Sequence, residues 1–266
     1  MSLKEFRKSP HLSASSVGSY LDCGLAFKFS RIDKLPPEFR SDGLELGSVV
    51  HQVLADFNEQ RMHGTLLSME ALLEKFINYW TAAAEQREDI VYKEGKDFKK
   101  LLEEGQKLIS VFYESRPWEE FTAISVEKAF QFSIEGLAVP IIGVMDLVEE
   151  DPSGTIVIID YKTASKAYST ADVDSSLQLT LYQMGAKSNG FRNREILLRF
   201  DCLIKTKKPK FEQYYTTRDP ALEERAAKKI IEVWKGISKG VFIPADDSWQ
   251  CKSCGYRRYC DEWFEN

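Results

Sequence analysis

Three consecutive apolar segments of β-strand character follow Pro117, and two of them contain an aspartate. The three segments are 123–134, 137–148 and 155–161. Turn-forming sequences with glycine separate them, so we predict an antiparallel meander. Asp146 lies in the second segment and Asp160 in the third. Because a buried carboxylate is costly unless it is paired or bound to a cation, these two residues constrain both the fold and the chemistry of the chain.

Helical periodicity accounts for much of the remaining chain. The predicted helices are 12–29, 44–57, 69–86, 96–114, 175–187 and 221–238. Two further β-type segments are 195–204 and 211–216. We therefore expect a mixed α/β fold in one domain, with a helical N-terminal part, a sheet-containing core and a C-terminal cysteine-rich loop. These three parts are 1–116, 117–240 and 241–266.

Composition limits the class of protein. The chain has 266 residues, of which 43% are hydrophobic, enough to bury a large core. Its formal net charge of −5 argues against a protein that coats nucleic acid, although its local basic patches are compatible with a nucleic-acid enzyme. The N-terminus is polar and lacks a signal-peptide pattern, and no apolar stretch reaches the roughly 18 residues of a membrane span. We expect a cytoplasmic protein with no membrane partner.

The third strand ends in Asp160-Tyr161-Lys162. Strand alternation places Asp160 and Lys162 on one face and Tyr161 on the other. Two carboxylates with a lysine suit phosphodiester hydrolysis, because Mg²⁺ or Mn²⁺ prefers oxygen ligands and activates bound water. The lysine would orient that water or offset developing charge. A plain ion pair at the end of a strand is the alternative interpretation.

Gly143-x-x-Asp146, the hairpin turn and Asp160-Tyr161-Lys162 together resemble the core signature of the PD-(D/E)XK nucleases. The resemblance implies a restriction-endonuclease-like mixed sheet flanked by helices. It also implies that Asp146 and Asp160 bind the metal, that the Tyr161 carbonyl supplies a further ligand, and that Lys162 assists the attacking water. Asp160 stands where the family more commonly has glutamate.

Further motifs resemble the RecB-like exonuclease branch of that superfamily. In Gly47-x-x-x-His51, the histidine lies on a predicted helix, and the resemblance implies that it is an additional metal ligand. Gln178-x-x-x-Tyr182 has the spacing of one helix face, and the resemblance places both side chains near the substrate. A packed interior histidine and ordinary helix amphipathicity are the alternatives. Glu127 resembles an acidic position of this branch, or is a solvent-exposed carboxylate.

Four of the five cysteines form a second constellation: Cys23, Cys251, Cys254 and Cys260. Four thiolates hold either tetrahedral Zn²⁺ or an iron-sulfur cluster. One distant cysteine followed by C-x-x-C-x5-C resembles the 4Fe-4S site of AddB-type and CRISPR-associated RecB-like nucleases, with Gly24 where relatives often have proline. We interpret the neighbouring aromatic residues as a shield for the cluster, with base stacking as the alternative. Cys202 lies in an apolar strand and is expected to be a buried small hydrophobe.

The resemblance implies a metal-dependent DNA exonuclease of repair, recombination or CRISPR-type processing. Its partner would be DNA, single-stranded or as duplex ends, and a helicase or CRISPR-integration protein. Two other classes stay open: a catalytically inactive DNA-binding or adaptor subunit with the same fold, and a structural module of a larger repair complex.

Overall fold

The computed structural model describes residues 3–265, and its helices dominate the N-terminal part of the chain. The first six helices are α1 Leu3–Phe6, α2 Ala14–Asp22, α3 Gly24–Phe27, α4 Asp42–Met62, α5 Met69–Ala84 and α6 Phe98–Ser115. A π-helical turn, Lys28–Ile32, continues α3. The later helices are α7 Thr170–Asp174, α8 Leu177–Ala186, α9 Pro220–Ser238 and α10 Arg257–Glu265.

A five-stranded sheet forms the centre of the core. Its strands are β3 Thr122–Phe132, β4 Ile141–Glu150, β5 Ile156–Ala164, β6 Ile196–Ile204 and β7 Lys210–Thr216. They are hydrogen-bonded in sequence order, antiparallel except for the parallel pair β5–β6. The predicted meander of the first three strands is confirmed. Two short strands, β1 Arg40–Ser41 and β2 Ile90–Val91, pair separately.

The parallel pair accounts for one of the two helical layers that cover the sheet. Parallel strands need a crossover connection, and here it contains α7 and α8. Together with α2 and α9, this crossover covers one apolar face, while α4, α5 and α6 cover the other. The first six residues of β5 are consequently all buried. The expected mixed α/β fold with a helix-flanked central sheet is confirmed.

The prediction of one continuous helix over 12–29 is wrong. Cys23 has an extended backbone, with φ of −161° and ψ of 108°, so α2 ends before it and α3 begins after it. The thiol of Cys23 accepts a hydrogen bond from the Ala26 N–H at 3.5 Å and thereby caps α3. Gly24 lies against the backbone of Ile243, where a Cβ would approach the amide nitrogen to 2.8 Å. Close packing of this junction on the C-terminal segment therefore requires glycine.

The C-terminal segment is also more regular than the predicted loop. It contains a 3₁₀ turn, Trp249–Ser253, and helix α10, which carries Cys260. Ion pairs at i,i+4 spacing, Arg257 with Asp261 and Arg258 with Glu262, support this short helix.

None of the helices in residues 3–265 combines the length and the apolarity needed to cross a membrane.

Candidate active site

The candidate site lies where the β4–β5 ladder stops. The last pair of that ladder is Leu147 with Ile159, and Asp146 and Asp160 are the next residues on the two strands. The Tyr161 N–H donates a hydrogen bond to Asp146 Oδ2 at 2.8 Å. A carboxylate thus satisfies a strand amide at the open end of the hairpin, and the two aspartates come together there.

Asp160 is the centre of a buried polar network and is only 2% exposed. Lys162 Nζ lies 2.6 Å from its Oδ2 atom. Gln178 Nε2 donates to Asp160 Oδ1 at 2.6 Å, and the Tyr182 hydroxyl donates to the same oxygen at 3.0 Å. Lys162 also donates to Gln178 Oε1 at 2.7 Å. The predicted shared helix face of Gln178 and Tyr182 is confirmed, and this face of α8 meets the end of β5.

Helix α4 brings His51 to the same place. Its Nδ1 atom lies 3.4 Å from Asp146 Oδ2, and the ring also faces the backbone carbonyl of Tyr161. Gly47, one turn earlier, allows this approach, because a Cβ there would lie 3.0 Å from Thr163 Oγ1 on β5. Burial lowers the pKa of His51, although the charge of Asp160 opposes the shift. A neutral imidazole, which can act as a metal ligand, is therefore favoured.

The site holds more negative than positive charge. Burial, followed by the charge of Asp160, raises the pKa of Asp146 well above its ordinary value. Burial and the charge of Asp160 also raise the pKa of Glu127. Burial lowers the pKa of Lys162, but its ion pair with Asp160 outweighs burial, so the net shift is upward and the ammonium stays protonated. Three carboxyl groups therefore share one lysine.

These donors fit a divalent cation. Asp160 Oδ2 is a buried oxygen that accepts no hydrogen bond of good geometry, although Lys162 Nζ lies within ion-pair distance. Two carboxylates, a backbone carbonyl and an imidazole match the oxygen-rich ligand sets of Mg²⁺ and Mn²⁺. Among residues 3–265, no three His, Cys, Asp or Glu side chains already form a group with the geometry of a metal site. The candidate donors therefore lie near one another, but the described residues do not form a completed metal site.

Glu127 has a strained backbone beside the site. On β3 it lies between the residues that pair with Leu147 and Met145, and it therefore faces Asp146. Its φ of +47° is unusual for a residue other than glycine, and such strain costs on the order of 1–3 kcal/mol. The side chain lines the concave wall of the cleft, so that its surface is accessible while the surrounding atoms partly desolvate the carboxyl group. This placement agrees with the acidic position expected from the sequence, whose role stays a prediction.

The candidate site lies at the junction of a two-lobed cleft. His51, Glu127, Asp146 and Lys162 line both lobes. The first lobe, of about 400 Å³, extends to residues of the N-terminal segment: Leu3, Arg7, Ser13, Ser15 and Arg31. The second lobe, of about 530 Å³, is lined by the start of α4 and the end of β5, including Gly43, Ser48 and Thr163. Sequence reasoning did not identify Arg7 or Arg31, because neither lies in a motif and their segments are remote from the strands.

The four predicted cluster cysteines line one small cavity, of about 30 Å³. All four thiols are free and half-buried, whereas Cys202 is free and fully buried, as expected. Burial raises the pKa of Cys260, and the nearby thiol of Cys23 raises it further. The chain therefore brings its N-terminal and C-terminal cysteines together. The absence of a formed metal site in residues 3–265 applies to these thiols as well.

The aromatic residues around the cysteines divide into two groups. Tyr256 and Tyr259 pack against Phe29, with ring centroids 6.5 and 6.0 Å away. Trp249, in contrast, is 77% exposed, and Trp263 and Phe264 are also largely exposed. The expected shielding role is therefore wrong for these three residues, because side chains this exposed cannot exclude water from the cavity.

Comparisons with known proteins agree with this architecture. The chain aligns with the crystal structure of a protein named "Putative exonuclease" from Eubacterium rectale, with a TM-score of 0.58, 10% identity and coverage of 91% of this chain and 87% of that one. It also aligns with the crystal structure of SSO0001, with a TM-score of 0.42, 11% identity and coverage of 96% and 89%. Only the first alignment has a TM-score above 0.5 and supports an argument, and at 10% identity it shows the fold alone. No curated protein matches the sequence.

A family model provides the stronger result. The model of the PD-(D/E)XK nuclease superfamily matches residues 11–261, which include both predicted carboxylates, the lysine and all four clustered cysteines. The chain belongs to the PD-(D/E)XK nuclease superfamily.

Proposed function

We propose that this nuclease is a DNA exonuclease that requires Mg²⁺ or Mn²⁺. The observation that carries the proposal is the buried Asp160 carboxylate, which has one oxygen without a well-aligned hydrogen bond and lies beside Asp146 and Lys162. The metal would activate water and stabilise charge on the scissile phosphate. Its ligands would be Asp146, Asp160, the Tyr161 carbonyl and His51.

The remaining polar residues have separate roles in the proposal. Lys162 holds a proton beside Asp160 and would orient the attacking water or offset charge on the reacting phosphate. Gln178 hydrogen-bonds to both Lys162 and Asp160 and so holds these two side chains in a fixed relative position. Tyr182 donates to Asp160 from the buried side of the site and fixes the carboxylate rotamer.

Digestion of labelled DNA with Mn²⁺, Mg²⁺ or EDTA tests this proposal. We expect cleavage by the wild type with metal, and a loss of at least about a hundredfold in Asp146→Asn and Lys162→Ala, in line with the contribution of one positioned catalytic group. Lys166→Ala is the matched control, because Lys166 is an exposed lysine a few residues further along. An inactive wild type would instead favour a DNA-binding subunit, and full activity in both variants would overturn the site.

Linear and circular single-stranded DNA distinguish the two modes of cleavage. An exonuclease needs an end, so the linear strand should be degraded while the circle survives. Cleavage of the circle at a comparable rate would overturn the exonuclease assignment. The RecB-like branch, the repair, recombination or CRISPR-type role, and a helicase or integration partner rest on the sequence resemblance and stay predictions.

We further propose that Cys23, Cys251, Cys254 and Cys260 bind a 4Fe-4S cluster. The convergence of four free thiols on one cavity supports this assignment, since such clusters are held by four cysteine thiolates. The cluster would join the first and last thirds of the chain, so that 1–266 acts as one nuclease domain. Closing so long a loop would remove entropy from the unfolded state.

Metal analysis of anaerobically purified protein tests the cluster. We expect brown protein with iron and acid-labile sulfide, both lost in Cys254→Ser. Cys202→Ser is the matched control, because Cys202 lies in the sheet, away from the cavity. Stoichiometric zinc in colourless protein would identify a zinc site instead.

A further inference from the structure

The first lobe of the cleft carries an unusual distribution of charge. Three carboxyl groups line it, those of Glu127, Asp146 and Asp160, and all three belong to the candidate site. Apart from these, the described residues of its wall carry no negative charge but include two arginines, Arg7 and Arg31. The lobe therefore combines the acidic candidate site with two cations from the N-terminal segment.

The two arginines come from separate segments. Arg7 follows helix α1, and Arg31 belongs to the π-helical turn after α3. Both side chains are exposed and line the same wall. The hydroxyls of Ser13 and Ser15, at the start of α2, lie in the same wall and add hydrogen-bonding groups. Two cations and two hydroxyls are thus gathered in one concave surface.

The C-terminal segment holds Arg31 in place. Phe29, two residues before it, is buried against Tyr256 and Tyr259. The guanidinium of Arg31 is close enough to Tyr256 to influence the pKa of its hydroxyl. The Leu35 N–H also donates to the Phe29 carbonyl at 2.9 Å, which closes the turn around Arg31. Contacts within the chain therefore fix the backbone that carries this arginine.

A polyanionic strand that approaches three carboxyl groups needs compensating cations nearby. Guanidinium groups suit this role, because they pair with phosphate oxygens in a fixed geometry. We propose that Arg7 and Arg31 form a subsite for DNA backbone phosphates adjacent to the scissile bond. The subsite rests on the proposed nuclease function, and it predicts the side from which the DNA strand enters the cleft. A positioning role is assigned to both arginines, which are outside the metal-binding set.

Equilibrium binding without cleavage tests the subsite. Fluorescence anisotropy with a labelled oligothymidine in EDTA reports affinity alone, for the wild type, Arg7→Gln, Arg31→Gln and the double variant. Each lost phosphate contact on single-stranded DNA lowers the salt slope of log K by about 0.7, which at about 0.1 M salt corresponds to about fivefold in affinity. We expect a fivefold loss for each variant and a loss of about 25-fold for both together.

Arg225→Gln is the matched control. It removes the same charge from an exposed position on α9 that lines a different cavity. Losses in the arginine variants that exceed the loss in this control support the subsite, and losses equal to it, or none, overturn the subsite. Because all these side chains are exposed, thermal stability should stay unchanged, and this measurement identifies any variant that misfolds.

Metal-dependent cleavage separates the subsite from the catalytic proposal. A minimal phosphodiester, bis(p-nitrophenyl) phosphate, carries no second phosphate group that the arginines could bind. Its hydrolysis with Mn²⁺ should be lost in Asp146→Asn and retained in the double arginine variant. Weak DNA binding together with retained hydrolysis is the expected result. If hydrolysis falls as far as DNA binding in the double variant, the arginines act on the metal site itself and the subsite is overturned.

Discussion

Replacement of Arg199 by methionine would leave two carboxylates buried without their main cation. Arg199 is 1% exposed, and its guanidinium contacts Asp201 at 2.7 and 3.0 Å and Glu149 at 3.1 Å. Arg61 also pairs with Glu149. The network contains two positive and two negative groups, so it is neutral only while Arg199 is present. Because Arg199, Asp201 and Glu149 are buried residues of the central strands, the network is a sensitive reporter of how the fold stabilises buried charge.

The magnitude follows from the cost of an unpaired buried charge. Removal of one partner from a buried pair costs about 3–5 kcal/mol. For a domain of this size, each kcal/mol corresponds to about 2–4 °C in melting temperature. We therefore expect Arg199→Met to lower Tm by about 6–20 °C. Arg225→Met, at an exposed position, should stay within about 0.5 kcal/mol of the wild type.

The loss of stability in Arg199→Met should grow as pH rises. Burial raises the pKa of Asp201, and Arg199 opposes that shift. Without Arg199, the pKa of Asp201 in the folded state rises further above its unfolded value. The variant is then penalised as pH rises through the folded-state pKa and recovers as pH falls, because the folded state binds the proton. The stability gap to the wild type should therefore widen as the pH rises above the ordinary range of an aspartate.

A second substitution tests whether the unpaired charge causes the loss of stability. Asp201→Asn in the Arg199→Met background restores neutrality, because Arg61 and Glu149 still pair. Denaturant and thermal unfolding should therefore find the double variant more stable than Arg199→Met alone. If the single variant matches the Arg225→Met control, or if the double variant is the less stable one, the charge argument fails.

Two further predictions concern the candidate active site, and a third concerns the junction between α2 and α3. The Tyr161 hydroxyl accepts a hydrogen bond from Asn58 Nδ2 at 2.9 Å, and its loss in Tyr161→Phe should cost about 1–2 kcal/mol in denaturant unfolding, while an unchanged midpoint would contradict this role. Because the pKa of Asp146 is raised in the fold, Asp146→Asn should stabilise the protein in EDTA, more at about pH 8 than at about pH 5; scanning calorimetry that shows no pH-dependent gain would contradict the shift. Gly24→Val should destabilise the chain by about 1–3 kcal/mol through overpacking on Ile243, and thermal unfolding at wild-type Tm would show that this junction can open without cost.

The local pattern of the sequence was sufficient for several features. Strand alternation predicts that Asp160 and Lys162 share a face, and the i,i+4 rule predicts the same for Gln178 and Tyr182. The glycine-containing turn predicts the hairpin that brings Asp146 towards Asp160. Each of these three features depends only on residues that are close in the sequence and on the regular geometry of a strand, helix or turn. Such features can be predicted from the sequence alone.

Other features were decided only by tertiary structure. The approach of His51 to Asp146 depends on packing of α4 against β5, and the close packing at Gly24, next to the break at Cys23, depends on the backbone of Ile243. Arg31 joins the cleft through burial of its neighbour Phe29 under the C-terminal tyrosines. These contacts join residues that are distant along the chain. Their partners are selected by shape and burial across the whole domain, and local periodicity carries no information about that choice.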